Sequence, residues 1–97
     1  MILEHALLPV APGQESAFEA ALASALPIIR RQPGCLSASV SRCVEEPSLY
    51  LLQAEWESLE AHDPGFRSSA DYQEWKALLH HFYDPSPTVR HFAPITG

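Results

Sequence analysis

The stretch that decides the fold is residues 35–56, which read CLSASVSRCVEEPSLYLLQAEW. Apolar and polar side chains alternate over residues 35–44, a pattern that predicts a strand with one buried face. The face predicted to be apolar carries Leu36, Ala38, Val40 and Val44. Residues 45–48 have the composition of a turn and residues 49–56 predict a second strand. We therefore expect the two strands to form an antiparallel hairpin.

A strand and a helix are predicted before this hairpin. Residues 2–10 carry polar side chains only at Glu4 and His5, so they predict a strand whose two faces are both partly buried. Residues 14–32 predict a helix, and Pro27 inside it predicts a kink because proline cannot donate the next helical hydrogen bond. The apolar stripe of this helix recurs through Phe18, Leu22, Ala25 and Ile29.

Two helical segments and a last strand are predicted after the hairpin. A short helix is expected over residues 58–62, and a longer one over residues 69–83 with Ser68 at its capping position. Its apolar stripe comprises Tyr72, Trp75, Leu79 and Phe82. Residues 88–95 predict the last strand, and Pro94 places the end of that strand near a sheet edge.

The predicted order of elements is β-α-β-β-α-β, which is the order of a ferredoxin-like α+β domain. At 97 residues the chain is expected to form one domain, residues 1–97. Such a fold lays two helices on one face of a four-stranded sheet and leaves the other face bare. The first and third strands carry too few polar residues for that bare face to be polar. We therefore predict a homodimer in which a second copy covers it.

Composition excludes some partners and indicates a compartment. The formal net charge is −6, from twelve acidic residues against six Lys and Arg, which argues against nucleic acid and anionic membranes as partners. The N-terminus has no basic segment followed by a long apolar stretch, so no signal peptide is expected and the cytoplasm is the predicted location. Cys35 and Cys43 would lie roughly 26 Å apart on one extended strand, so we expect two free thiols and no disulfide between them.

Several short motifs together resemble a known family. They are EWESLEAH at 55–62, FRSS at 66–69, YQEW at 72–75 and HHFY at 80–83, with Pro-Gly pairs at 12–13 and 33–34. With these motifs the chain resembles the antibiotic biosynthesis monooxygenase domain, a family of dimeric α+β barrels, from about residue 2 to residue 95. The resemblance is specific for the fold and weak for the activity, because these small domains serve several functions.

The resemblance implies an activity and a place for it. Family members include monooxygenases that oxidise polycyclic phenols and quinols without flavin, haem or metal, and others that degrade haem. The active cavity lies within each protomer, between the helices and the sheet. The chain is accordingly predicted to oxidise a small aromatic phenol or quinol with O₂ and no cofactor. The alternatives are a non-catalytic dimer that binds a small molecule or acts in a stress response, and a haem-binding or haem-degrading relative.

Oxidation of a phenol without a cofactor needs a proton acceptor, a stabiliser of negative charge and an apolar pocket. His62 is the candidate for proton transfer because an unperturbed histidine titrates near ~6.5, and its alternative role is to cap a helix end. Arg67 is the candidate for anion stabilisation, or else forms a surface ion pair. Tyr72 can donate a hydrogen bond to the substrate. We predict these three as the catalytic residues.

A further set of residues is predicted to bind the substrate. Aromatic residues at helical spacing form pocket walls in this hypothesis, although such a stripe is more often plain core. His5, next to Glu4 on the first strand, is either a counterpart of the polar strand residue that haem-degrading relatives use or a hydrogen-bonded histidine at the dimer interface. The predicted substrate-binding residues are His5, Trp56, Phe66, Trp75 and Leu79.

The remaining histidines do not predict a metal site. His80 and His81 are adjacent on a helix, so their rings point about 100° apart, whereas two ligands of one metal prefer a spacing of three or four residues. His91 lies on the last strand, distant in sequence from both. Haem is the less favoured ligand, because alignment with the axial histidine of haem-degrading relatives places Trp75 or Lys76 there and His80 comes over one turn later.

Overall fold

The computed structural model describes residues 1–96 and has the predicted α+β ferredoxin-like architecture. Its main elements are β1 Ile2–Pro9, α1 Glu15–Arg30, β2 Cys35–Arg42, β3 Leu49–Trp56, α2 Ala70–Leu79 and β4 Thr88–Phe92. Two short elements flank α2. A kinked helical segment, Ala61–Phe66, precedes it, and a 3₁₀ turn, His80–Phe82, follows it. None of the helices within residues 1–96 is long and apolar enough to cross a membrane.

The sheet has the strand order β2-β3-β1-β4, and every pair of neighbours is antiparallel. The predicted hairpin is confirmed as β2 and β3, and the last strand is at an edge as Pro94 predicted. β1 is central because it pairs with β3 on one side and with β4 on the other. In the pairing of β1 with β4, Glu4 is opposite His91. Directly opposed residues on antiparallel strands point to the same face, so this register determines which polar groups meet inside.

The core lies between the inner face of the sheet and the two helices. Even-numbered residues of β1 and β3 face inward, as the alternation of buried and exposed positions along these strands shows. All four residues of the predicted α1 stripe are buried, which confirms it, and Ile28 is buried with them. The largest fully buried side chains are Trp56, Phe18, Phe66, Ile28, Ile29 and Leu79.

Two residues predicted on the buried face of β2 lie outside the core. Leu36 is 54% exposed because a bulge between Cys35 and Ser37 displaces it from the ladder. Val44 is 89% exposed because β2 ends at Arg42, before the alternation could place it in the sheet. Ala38 is buried and Val40 is half-buried, as predicted. Both cysteines are free thiols.

The helices begin and end at residues other than those predicted. α1 is continuous through Pro27, whose ring lies on the exposed side of the helix. α2 begins after Ser69 rather than Ser68, because the Ser69 hydroxyl accepts a hydrogen bond from the Tyr72 amide at 3.1 Å. The predicted short helix is shifted to Ala61–Phe66, and the Ser58 hydroxyl accepts from the Ala61 amide at 3.2 Å.

A polar cluster fixes α2 relative to α1. Arg31, just past the end of α1, donates to both carboxylate oxygens of Asp71 at 2.8 Å and 3.1 Å. Gln32 donates to the same carboxylate at 2.8 Å. These bonds lower the pKa of Asp71 to about 2. Because Asp71 is in the first turn of α2, the cluster sets where the residues of that helix meet the sheet.

The outer face of the sheet is partly apolar, in agreement with the sequence pattern. It carries Leu3, Leu7, Leu51 and Phe92 among His5, Gln53, Thr88 and Arg90. Leu7 and Phe92 are 46% and 45% exposed, and a shallow groove runs between them. Neither helix packs on this face, because both contribute to the core on the other side.

Candidate functional site

A cavity of about 100 Å³ lies between the inner face of the sheet and α2. Its floor comes from β1, β3 and β4 and its walls from the kinked segment, α2 and the loop that follows. The lining residues are Glu4, Ala6, Leu8, Ile29, Leu52, His62, Phe66, Arg67, Tyr72, Trp75, His80, Tyr83, Pro87 and Val89. The position agrees with the place that the family resemblance implies.

The kinked segment places His62 and Phe66 in this cavity. Its two helical turns are joined by Asp63, which has extended backbone angles of φ −138° and ψ 111°. The second turn is held by the amide of Arg67, which donates to the carbonyl of His62 at 3.0 Å. His62 and Phe66 are both buried as a result, while Arg67 follows at the exposed rim.

A buried carboxylate, Glu4, lies at the cavity floor beside Trp56. Glu4 is only 3% exposed, and the Trp56 indole N–H donates to its Oε1 at 3.0 Å. Burial of a carboxylate is costly unless donors compensate it. Trp56 in turn stacks on His62, with ring centroids 5.0 Å apart and planes 23° from parallel.

His62 joins Glu4 to His91, and we call these three residues the Glu-His-His cluster. The Nε2 atom of His62 is 3.4 Å from Oε1 of Glu4, and its Nδ1 atom is 2.7 Å from Nε2 of His91. Both ring nitrogens of His62 are thus directed at cluster partners. The cluster depends on the sheet register, because Glu4 and His91 are opposite each other on β1 and β4.

Burial changes the acid–base properties of the cluster. Desolvation, with the nearby His91 and Arg67, lowers the pKa of His62 to about 4, so its imidazole is neutral at pH 7. Desolvation raises the pKa of Glu4, against the opposing effects of the Trp56 hydrogen bond and the charge of Arg67. The carboxylate is therefore a stronger base than an exposed one, and the imidazole is a weaker base than an exposed one.

Arg67 supplies the only permanent positive charge among the residues that line the cavity. Its side chain is at the exposed rim, but its charge acts inward, because it lowers the pKa of Glu4, His62 and His80 alike. A negative charge that develops in the cavity would be stabilised by the same field.

Aromatic rings form most of the cavity wall. Phe66 lies edge-on to both Tyr72 and Trp75, with centroids 5.2 Å and 5.9 Å away. His80 lies between Tyr72 and Tyr83, at 6.0 Å and 5.7 Å. Burial lowers the pKa of His80 and raises that of Tyr83, so both side chains are neutral at pH 7. The enclosed space suits a flat, uncharged or singly anionic ring.

Five of the eight residues predicted for the site line the cavity, namely His62, Phe66, Arg67, Tyr72 and Trp75. The other three are elsewhere. Trp56 lies behind His62 and Glu4, and Leu79 is fully buried in the core. His5 points to the outer face, where it stacks near Phe92 with centroids 5.1 Å apart.

The sequence interpretation did not include Glu4, His91 or Tyr83 in the site. Glu4 offered one signal, a carboxylate in an otherwise apolar strand, but the sequence did not indicate which of Glu4 and His5 faced inward. His91 required the register of β1 with β4, which the sequence does not supply. Within residues 1–96 no group of three or more His, Cys, Asp or Glu side chains is arranged to hold a metal ion.

The family model for antibiotic biosynthesis monooxygenases matches residues 1–78. The chain belongs to the antibiotic biosynthesis monooxygenase family. Every residue that we predicted as catalytic lies inside the matched range. Among curated proteins, this family member is 52% identical over 95 residues to YczJ, an uncharacterized protein of Bacillus subtilis (strain 168), and the match covers 98% of this chain and 100% of YczJ.

Solved structures agree with this assignment. A family member from Bordetella bronchiseptica superposes with a TM-score of 0.93 and is 38% identical, with 98% of this chain and 97% of that one covered. SnoaB from Streptomyces nogalater, described as a cofactor-independent oxygenase, superposes with a TM-score of 0.84 at 17% identity, with 99% of this chain and 94% of that one covered. At that identity, the likeness to SnoaB shows the fold alone.

Proposed function

We propose that this protein is a cofactor-independent monooxygenase that oxidises a small phenol or quinol with O₂. The observation that carries the proposal is a single cavity that combines a buried proton-accepting cluster, an inward-acting cation and aromatic walls. Family membership supports an oxygenase, and SnoaB offers a precedent within the same fold. O₂ reacts slowly with closed-shell molecules, so an electron-rich phenolate is the kind of substrate that such a cavity can activate.

Each predicted catalytic residue has a role in this proposal. The Glu-His-His cluster, which contains His62, takes up the phenolic proton. Arg67 stabilises the phenolate and the reduced oxygen species, and Tyr72 donates a hydrogen bond to the phenolic oxygen. For a quinol, one atom of O₂ enters the ring to give a hydroxyquinone and the other leaves as water. The quinol itself supplies all four electrons, so no external reductant is needed.

The size of the cavity limits the substrate. A cavity of about 150 Å³ is known to admit benzene, and this one measures about 100 Å³. A single ring can enter if exposed rim residues such as Arg67 move slightly. Polycyclic substrates would require α2 or the kinked segment to shift, so we favour a monocyclic phenol or quinol.

The test is oxygen uptake with a panel of monocyclic phenols and quinols, and bicyclic naphthols are included to check the size limit. We expect uptake with at least one monocyclic quinol and a loss of about 10²–10³-fold in turnover for Arg67→Ala, because the developing anion loses its cation. Arg67→Lys should recover part of the rate. Arg42→Ala is the matched control, since Arg42 is exposed and does not line the cavity. A folded protein that consumes no oxygen across the panel would contradict the proposal.

A second function, small-molecule binding without chemistry, is favoured by the same small volume. It predicts that a monocyclic phenol binds with no oxygen uptake, and that Arg67→Ala weakens binding while no turnover is detected in either protein. Haem is not favoured, although His80 lines the cavity, because pockets for drug-sized ligands measure about 300–1,000 Å³. A haem would need several times the space found here.

A homodimer through the outer face of the sheet is part of this proposal. An exposed apolar groove lined by Leu7, Leu51 and Phe92 supports it, and no helix within residues 1–96 packs on that face. The groove also contains His5, Thr88 and Arg90, so a second copy would bury polar groups at the rim and leucines at the centre, as stable interfaces do.

Replacing Leu7 with glutamate should weaken this dimer. We expect the dissociation constant to rise about 100-fold, because the interface would bury a carboxylate among apolar side chains. Sedimentation velocity over a dilution series measures the change. Leu59→Glu is the matched control, because Leu59 is 43% exposed, close to the 46% of Leu7, but lies outside the sheet. An unmodified chain that is monomeric at high concentration would contradict the interface.

A further inference from the structure

The carboxylate of Glu4 is better placed than the imidazole of His62 to accept a proton in the cavity, and its acid–base properties suit that role better. Both ring nitrogens of His62 are directed at partners, Nε2 at Glu4 and Nδ1 at His91. Trp56 and His62 both approach Oε1 of Glu4. No hydrogen bond within residues 1–96 involves Oε2, and Glu4 is the only carboxylate among the cavity-lining residues.

We propose that Glu4 is the base that removes the phenolic proton, and that His62 and His91 are positioning residues that hold its carboxylate. This inference rests on the proposed function. In the step, the phenolic O–H bond breaks, the proton moves to Oε2 of Glu4, and the phenolate remains in the cavity with its charge facing Arg67. Charge is conserved, because one carboxylate is neutralised as one phenolate forms, and no oxidant takes part.

The arrangement of donors gives His62 and His91 defined roles. Trp56 donates to Oε1 of Glu4 at 3.0 Å, and a His62 tautomer protonated at Nε2 would donate to the same atom. The 2.7 Å separation then requires His91 to donate its Nε2–H to Nδ1 of His62. The 3.4 Å distance between His62 and Glu4 is long for a hydrogen bond, and such contacts shorten in substrate complexes.

The acid–base properties agree with this assignment. Abstracting a phenolic proton is easier for a base of higher pKa. Burial raises the pKa of Glu4 and lowers that of His62 to about 4. Burial therefore makes Glu4 a stronger base than an exposed carboxylate and His62 a weaker base than an exposed imidazole. The charged and titratable groups that face His62 are Glu4 from β1, His91 from β4, Asp63 from its own segment and Arg67 directly after that segment.

The first test uses para-nitrophenol under argon, because its phenolate is yellow and no oxidation can occur. If Glu4 takes the proton, the bound probe and Glu4 share one proton between them. The yellow fraction of bound probe should then stay constant as the pH is lowered through the range where free probe becomes colourless. In Glu4→Gln the bound probe should lose its colour with pH. Glu46→Gln, an exposed change in the β2–β3 turn, should behave like the unmodified protein.

The outcomes separate this inference from the proposed function. Failure of the unmodified protein to bind the probe contradicts the proposed function and this inference with it. Binding of the probe as the neutral phenol, or a pH-independent yellow fraction that survives in Glu4→Gln, contradicts only the role of Glu4.

The positioning roles are tested without any ligand, by ¹⁵N NMR of the histidine rings. We expect His62 to carry its proton on Nε2 and an unprotonated Nδ1. His91→Leu should disturb this tautomer, and His91→Gln, which keeps an N–H donor, should restore it. A His62 ring protonated at Nδ1, or one indifferent to both changes, would overturn the assignment.

Discussion

Replacing Trp56 with alanine is expected to lower the free energy of unfolding by about 3–5 kcal/mol. Trp56 is fully buried at the end of β3, where it stacks on His62 and Phe66 with centroids 5.0 Å and 6.1 Å away. Its removal leaves a cavity beneath the kinked segment and takes the only indole donor from Glu4. For a domain whose total stability is about 5–15 kcal/mol, this loss is large. Urea unfolding followed by far-ultraviolet circular dichroism measures it.

Trp56→Phe separates packing from hydrogen bonding. Phenylalanine keeps most of the aromatic stack but has no N–H, so Oε1 of Glu4 loses its 3.0 Å donor. We expect a smaller loss of about 1–3 kcal/mol, the usual range for leaving a buried polar group without its partner. A cost below 1 kcal/mol for Trp56→Ala would show that the stack carries little of the stability.

Local spacing was enough to predict the elements that build the fold. The alternation in β2 and the stripe through Phe18, Leu22, Ala25 and Ile29 depend only on residues close in sequence, and the structure confirms both helices and all four strands. The errors concern local details that spacing does not determine. A bulge beside Cys35 displaces Leu36 from the sheet, and Ser69 rather than Ser68 caps α2.

The site was harder to predict because its Glu-His-His cluster is formed by the pairing of segments that are distant in sequence. Glu4 and His91 meet only because β1 pairs with β4 in one register, and a shift of one residue would send His91 to the outer face. The burial of Glu4 was unexpected for the same reason. A carboxylate prefers water unless donors compensate it. Its donor Trp56 comes from β3, and His62, whose Nε2 atom is 3.4 Å from the same oxygen, comes from the kinked segment.

This placement also explains why His5 does not line the cavity. Adjacent residues on a strand point to opposite faces, so burying Glu4 places His5 outside. His5 there approaches Gln53, with 3.5 Å between their side-chain nitrogens, and stacks near Phe92. The strand thus contributes one polar residue to each face, the carboxylate to the cavity and the imidazole to the proposed dimer interface.

The buried imidazole of His62 should make the stability of the domain depend on pH in a defined window. A histidine in the unfolded chain titrates near 6.5, and folded His62 titrates at about 4. Between these values the unfolded chain binds a proton that the folded chain does not, so the free energy of unfolding falls as the pH falls. The loss in the free energy of unfolding that His62 causes reaches about 3 kcal/mol near pH 4, and it disappears above pH 6.5.

Glu4 acts in the opposite direction, so the experiment must remove it. The raised pKa of Glu4 means that the folded state binds its proton more readily than the unfolded chain, which adds stability as the pH falls. In the Glu4→Gln background the His62 contribution is no longer opposed by Glu4, and the contribution of His80, whose pKa burial also lowers, is common to the proteins compared. Comparing Glu4→Gln with the double variant Glu4→Gln, His62→Gln from pH 7 to pH 4, by urea unfolding at each pH, should show a steeper pH slope in the first protein than in the second. Equal slopes in the two proteins would mean that the folded domain accepts a proton on His62 as easily as the unfolded chain does, and that burial beside Trp56 leaves this ring free to ionise.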